Sequence, residues 1–324
     1  METLKEGSRL HGATLRAIRT TPIVQSQGVV LCNVKNERQL LPHFLNHYRS
    51  VGVSRFAFVD NGSSDGTLAF LLDQADCDVF QHLGNLKAAL FGMAWKNHLL
   101  SRYADAAWCF SADVDEHAVH DGWPAISLDE FAARLRETGR CAATAVMVDM
   151  YGRDAIANTR VAGSRRLLDA CPYFDGDGYR IAMPADWRTS HFPRLDVRGG
   201  PLRRVFGSDG PGWLAKTPLI LEPDIVFNDP HTVLPPILNF DLPTIALLHF
   251  RLTDLLAQRL ARVSDQAYTQ GSLGEYQDLG LKLREDPDFT FYYSGSVRFQ
   301  SFERFIEKAV ICGVLRPPGG NRPA

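Results

Sequence analysis

The stretch from Trp108 to His117 constrains the fold most tightly, because Trp108, Cys109 and Phe110 form an apolar run that ends abruptly in Asp113, Asp115 and Glu116. The run reads as a buried strand, and the three acids fall where that strand leaves its sheet. Desolvating a carboxylate costs several kcal/mol, so acids at a strand end point to a cation or a proton-transfer role. On an extended chain Asp113 and Asp115 point the same way. Hard cations such as Mg2+ or Mn2+ are held by one or two carboxylates together with the oxygens of a substrate diphosphate. The bland alternative is a solvated strand-end loop.

The preceding residues supply the context. Gly28–Val34 is a continuous apolar run of β type. From Glu37 to Val51, residues Leu40, Leu41, Phe44, Leu45, Tyr48 and Val51 recur at helical spacing, with Asn36 as cap and Gly52 at the end. Ser54–Asp60 is a second strand, followed by the turn-rich Asn61-Gly62-Ser63-Ser64-Asp65-Gly66-Thr67 and a short helix from Thr67 to Ala75. Cys77–His82 is a third strand, Asn85–Tyr103 a long helix, and Ala106–Ser111 the fourth strand. Strands alternating with helices define an α/β sheet with right-handed crossovers. In such sheets ligands bind beyond the carboxyl ends of the strands, which here carry the polar loops after strands one, two and four.

The second half is less regular. Ser127–Thr138 is a helix with a capping box formed by Ser127 and Glu130, and Ala142–Met150 is β-like. Residues 152–239 are rich in Gly, Pro, Asp and Arg, as in loops laid over a site. Their aromatics Tyr173, Phe174, Tyr179, Trp187, Phe192, Phe206 and Trp213 indicate packing. Ile245–Phe250 is a late strand, Thr253 caps a helix to about Tyr268, and Phe299–Cys312 is a final helix. The expected organisation is an N-terminal lead-in (1–27), an α/β domain (28–265, halves 28–120 and 121–265), a helical extension (266–316) and a disordered tail (317–324).

Bulk properties narrow the class. A net charge of −2 gives no reason to expect nucleic acid or an acidic membrane as partner. No apolar run reaches the ~18 to 20 residues that span a bilayer. Residues 1–27 lack the apolar stretch of a secretory signal. The six cysteines are scattered without a close pair, as expected of buried free thiols in a reducing compartment, so the cytoplasm is the expected address.

Asn36-Glu37 after strand one, DNGSSDGT after strand two, Gly84-Asn85 before the long helix and DVDE after strand four occur in this order. The chain thereby resembles the family 2-like glycosyltransferases of the GT-A fold, in the branch whose acid motif reads DxDE, and is similar also to the family 92-like enzymes. The resemblance covers residues 28–120 well and 140–265 more thinly. It implies a GT-A-like (Rossmann-like) mostly parallel sheet flanked by helices, a loop-rich acceptor region and C-terminal helices. It implies inverting transfer of a sugar from a nucleotide-sugar to a hydroxyl on a glycan, lipid-linked or protein acceptor, with Mn2+ or Mg2+ as cofactor and any membrane contact peripheral. On the matching positions Asn36 and Glu37 lie near the nucleotide, Asp60 meets the base, Asp113 lies at ribose or metal, and Asp115 is on the metal. Where many members have Pro-x-Tyr/Phe-Asn, this chain has Asn33-Val34-Lys35-Asn36. The base-stacking contact is therefore in question, and Lys35 is the residue to meet a phosphate. Asn33, Asn61 and Lys87 complete the expected nucleotide-sugar set.

Among the ten histidines, His249 and His231 are the candidates for a third metal ligand, although a His beside apolar residues also serves as a structural hydrogen bonder. Arg203, Arg204 and Lys216 are cations able to screen phosphates. The general base is open among Asp149, Asp186, Asp196, Asp209 and Asp229, with Asp149 foremost, and Glu116 is expected to support the metal acids. Two other functions share such a sheet. A sugar-phosphate nucleotidyltransferase calls for a Gly-rich basic loop after strand one, which Asn33–Glu37 does not provide. A catalytically silent nucleotide-sugar-binding protein has no need of intact acids at 113, 115 and 116.

Overall fold

The structure is a computed structural model that describes residues 15–24, 27–103, 106–185, 188–191, 193–207, 214–263 and 273–311. Asp186, Trp187, Phe192, Asp209, Trp213, the helix residues expected after 263, Cys312 and the 317–324 tail lie outside the described residues.

Fifteen strands are described. In chain order they are β1 (Arg16–Arg19), β2 (Val29–Val34), β3 (Phe56–Asp60), β4 (Cys77–Gln81), β5 (Cys109–Ser111), β6 (Glu116–His120), β7 (Ala142–Tyr151), β8 (Tyr173–Asp175), β9 (Arg180–Ala182), β10 (Asp196–Arg198), β11 (Ala215–Ile220), β12 (Val226–Phe227), β13 (Val233–Leu234), β14 (Ile245–Leu252) and β15 (Ser296–Arg298). The main sheet runs β1-β4-β3-β2-β5-β11-β7-β14-β6, with β8 on β7 and β15 on β8. β4, β3, β2 and β5 are mutually parallel, as are β7 and β14, while β1, β11 and β6 oppose their neighbours. The α/β class with a mostly parallel sheet flanked by helices is therefore as expected.

The period-2 alternation of each strand builds the two faces of the sheet. Val30, Cys32, Val34, Phe56 and Phe58 pack on one side with Leu41, Phe44, Leu45 and Tyr48 of the Leu41–Ser50 helix. Val29, Leu31, Ala57 and Val59 pack on the other with Met93, Trp95 and Leu99 of the Met93–Arg102 helix. Ser127 caps the Leu128–Glu137 helix through the anticipated box, accepting from the Glu130 amide while the Glu130 side chain accepts from the Ser127 amide. Gly28 lets β2 approach the acid-bearing strand, since a Cβ there would stand 1.9 Å from the Trp108 ring.

Several boundaries differ from the pattern, each for a backbone reason. Asn36 does not cap a helix: it sits at φ 57° and the helix begins at Leu41, with Pro42 in its first turn. The long helix begins at Met93 rather than Asn85, because Leu90, Phe91 and Gly92 are all left-handed and cannot continue a right-handed helix. The final helix is only Glu303–Glu307, closed by left-handed Ala309. The lead-in contains β1, and the C-terminal segment supplies β15 as well as the core residues Phe302, Phe305, Val310 and Ile311. Cys32, Cys77, Cys109 and Cys171 are free and buried, and Cys141 is free and half-buried. Among the described residues no helix is long and apolar enough to cross a membrane.

Candidate active site

The parallel strands β2, β3, β5, β7 and β14 bring their carboxyl ends to one edge of the sheet. The loops after β2 and β3 are stitched together there. The Asn36 amide donates to Ser63 Oγ (2.9 Å), the Ser64 amide to Asn36 Oδ1 (2.7 Å), the Glu37 amide to Thr67 Oγ1 (2.9 Å) and the Arg38 amide to Asp65 Oδ2 (3.1 Å). Left-handed geometry is least costly for Asn and its relatives, which accounts for Asn36 at that position. Asp60 is fully buried, and its carboxylate accepts from the Gly62 and Ser63 amides and from Gln81 Nε2. Asn61 Nδ2 donates to the carbonyls of His82 (2.8 Å) and Gly84 (3.0 Å). These two side chains thus shape the loop, and Asp60 has no open face for the base contact the resemblance implied. Asn33 Nδ2 donates to the Gly92 carbonyl (3.2 Å), while Lys35 and Lys87 are exposed.

The acid motif lies beside these loops. Asp113 is half-exposed, with Lys96 Nζ 3.4 Å from Oδ1 and Lys216 Nζ 3.4 Å from Oδ2. Lys96 also donates to Ser111 Oγ (2.8 Å). Desolvation opposes a charge on Asp113, but Lys216 and Lys96 outweigh it and hold the carboxyl well below the usual range. Glu116, 1% exposed, is gripped by Lys216 at 2.7 and 2.8 Å and accepts from the Asp113 amide. Through that amide it fixes the turn on which the motif sits. Asp115, 7% exposed, accepts from Arg259 Nη1 and lies 3.4 Å from His249 Nε2. Arg259 Nη2 reaches across to Glu37 Oε2 at 3.6 Å.

The β14 register sets His249 between Glu116 on β6 and Asp149 on β7. His249 Nδ1 lies 2.9 Å from Asp149 Oδ1, and Arg251 donates to both Asp149 oxygens at 2.8 Å. Burial disfavours a charged His249 ring, yet Asp115 and Asp149 prevail and raise it to about 9. Both ring nitrogens are engaged, Nδ1 with Asp149 and Nε2 toward Asp115, which sets His249, a candidate third metal ligand, directly beside the acid motif. Asp149, the foremost candidate for general base, is 2% exposed and its oxygens are bonded to His249 and Arg251. His231 is the neutral histidine of the pair. Burial, with Lys216 and Arg194, lowers it to about 4, and its Nδ1 lies 3.1 Å from the Ala215 carbonyl.

Asp229 accepts from the His231 and Thr232 amides within its loop, and Asp196 pairs with Arg198 within β10. Arg204 lies on Asp175 and over the Tyr293 ring. Lys96, Arg251 and Arg259 were not among the sequence candidates. Lys96 left a trace, a lysine among Ala94, Trp95, Leu99 and Leu100 on a buried helix face. Arg259 left none, since an arginine on an amphipathic helix is ordinary.

Among the described residues no group of three or more His, Cys, Asp or Glu side chains is arranged to hold a metal ion. The donor set explains this. Asp115 is joined to Arg259 and His249, Glu116 to Lys216, and Asp113 to two lysines, so the motif does not fit the Mn2+ or Mg2+ that the resemblance implies.

No family model matches the chain, and no curated protein does. Solved structures share its shape loosely. S. aureus TarS (residues 1–349) aligns at 12% identity over 80% of this chain and 72% of that one, with a TM-score of 0.32. The mannosyltransferase PcManGT from Pyrobaculum calidifontis, in complex with GDP-Man and Mn2+, aligns at 14% identity over 46% and 42%, with a TM-score of 0.26. A putative glucose-1-phosphate thymidylyltransferase from Bacillus anthracis aligns at 10% identity over 42% and 62%, with a TM-score of 0.24.

Proposed function

We propose that this chain is a glycosyltransferase that moves a sugar from a nucleotide-sugar donor to a hydroxyl acceptor with inversion. One observation carries the reading: the loops after β2, β3 and β5 meet at the carboxyl edge of a mostly parallel sheet, and Lys96, Lys216 and Arg259 converge there on Asp113 and Asp115. In the reaction the acceptor oxygen attacks the anomeric carbon and passes its proton to a carboxylate base, for which Asp149 is the candidate, as the bond to the diphosphate breaks. Negative charge grows on the departing nucleoside diphosphate, and preorganised cations beside it lower the barrier. Asn33, Lys35, Asn36, Glu37 and Lys87 border the donor side, and Asp113 is the half-exposed carboxylate facing it. The loop-rich residues 152–239 form the acceptor half, and a glycan, lipid-linked or protein hydroxyl suits this reading. Metal dependence is left out, because the placed carboxylates already have cationic partners.

The test is calorimetry and product analysis with UDP-, GDP- and dTDP-sugars, against nucleoside triphosphates with sugar 1-phosphates. Binding and slow hydrolysis of a nucleotide-sugar is expected. Turnover of a triphosphate with a sugar 1-phosphate would instead establish the nucleotidyltransferase, and binding without turnover the silent binding protein.

A further inference from the structure

We propose that the cation serving the acid motif is the guanidinium of Arg259, and that this chain binds nucleoside diphosphate without a divalent metal. The inference rests on the glycosyl-transfer reading above and deepens it.

Arg259 comes from the Leu256–Val263 helix, remote in sequence from both loops it joins. One nitrogen donates to Asp115 of the acid motif and the other lies 3.6 Å from Glu37 of the β2 loop. The guanidinium therefore lies between the acid motif and the loop expected to border the nucleotide. Every carboxylate of the set has a cationic partner: Glu37 and Asp115 share Arg259, Asp113 has Lys96 and Lys216 at 3.4 Å, and Glu116 has Lys216 at 2.7 Å. A dication brought onto Asp115 would meet this guanidinium at contact distance in a poorly solvated site, where repulsion is strong. A diphosphate meets the opposite situation. The arginine fork matches phosphate oxygens, stays charged at all working pH and is held ready by Asp115 and Glu37. With its side chain 17% exposed, Arg259 keeps part of its surface open to a ligand.

The experiment titrates the full chain with UDP and GDP by calorimetry, in excess EDTA and in Mn2+, and follows free Mn2+ by electron paramagnetic resonance. The expected result is diphosphate binding that agrees within about twofold between the two conditions. Arg259→Met should weaken it about tenfold or more, with part of the affinity kept in Arg259→Lys. Arg259→Met should also gain Mn2+ binding absent from the parent, because Asp115 and Glu37 lose their guanidinium. Circular dichroism of both variants checks the fold. If Mn2+ tightens diphosphate binding of the parent about tenfold or more, the inference is overturned and the transfer reading stands. Parent-like diphosphate binding by Arg259→Met also overturns it. No diphosphate binding in either condition removes the transfer reading, and the inference with it.

Discussion

His249 Nδ1 lies 2.9 Å from Asp149 Oδ1 across the parallel β14–β7 pair, while its Nε2 faces Asp115 at 3.4 Å. One imidazole thus ties the acid motif to the end of a strand that is distant in sequence. The pairing makes the ring a cation and makes Asp149 its anchor.

This charge gives stability a pH dependence. His249 is raised from its ordinary 6.5 to about 9 in the folded chain. A group raised on folding stabilises fully below its unfolded pKa and loses that contribution as pH rises through the folded value. Denaturant midpoints should therefore fall between pH 6.5 and about 9. In His249→Asn this component of the fall should be absent, as urea melts of both proteins across that range will show.

Asp115→Asn removes the carboxylate between Arg259 and His249. A half-buried guanidinium and a buried imidazolium then face each other without the anion between them, which costs about 3 kcal/mol. The fold should persist while transfer activity drops by about 100-fold or more, in line with loss of a preorganised electrostatic group. Far-ultraviolet dichroism and a donor-turnover assay decide this. Parent-like turnover would take the acid motif out of the mechanism.

Lys216→Met strands Glu116, which is 1% exposed and has Lys216 as its ion-pair partner. Breaking one side of a buried pair costs about 3 to 5 kcal/mol. Adding Glu116→Gln removes the stranded charge and should restore much of the loss, giving a coupling energy in a double-mutant cycle. Additive losses in equilibrium denaturation would contradict the pairing.

A second group of histidines answers to acid. The His47 and His117 rings stack at 4.4 Å, with His47 Nε2 donating to the Ala118 carbonyl, and His120 stacks on Phe131. Burial lowers His47 and His120 to about 4 and holds His117 well below its ordinary value. For these rings the unfolded chain takes up protons first, so stability is complete above 6.5 and is lost as pH falls toward 4. His47→Phe and His120→Phe should flatten that acid limb of the stability curve, measured by thermal melts.

Much of the sheet was legible in the chain. GVVLCNV, FAFVD and the Trp108–Ser111 run are short, apolar and rich in β-branched or aromatic residues, which favours a buried strand. The capping box at Ser127 and Glu130 was equally plain, because its partners are three residues apart. Asp113, Asp115 and Glu116 stood out as a candidate site for the same reason: their oddity is local. Their partners were not. The Leu90-Phe91-Gly92 turn that shortened the long helix depends on a backbone state that composition does not announce. That Asp149 pairs with both His249 and Arg251 became visible only once register placed β14 beside β7. Arg259, 144 residues from Asp115, was invisible as a partner. Local propensity and periodicity are properties of neighbours along the chain, and they determined the strands and the acid edge. What a buried charge does depends on which opposite charge folding brings within a few ångströms, and only the tertiary structure decided that.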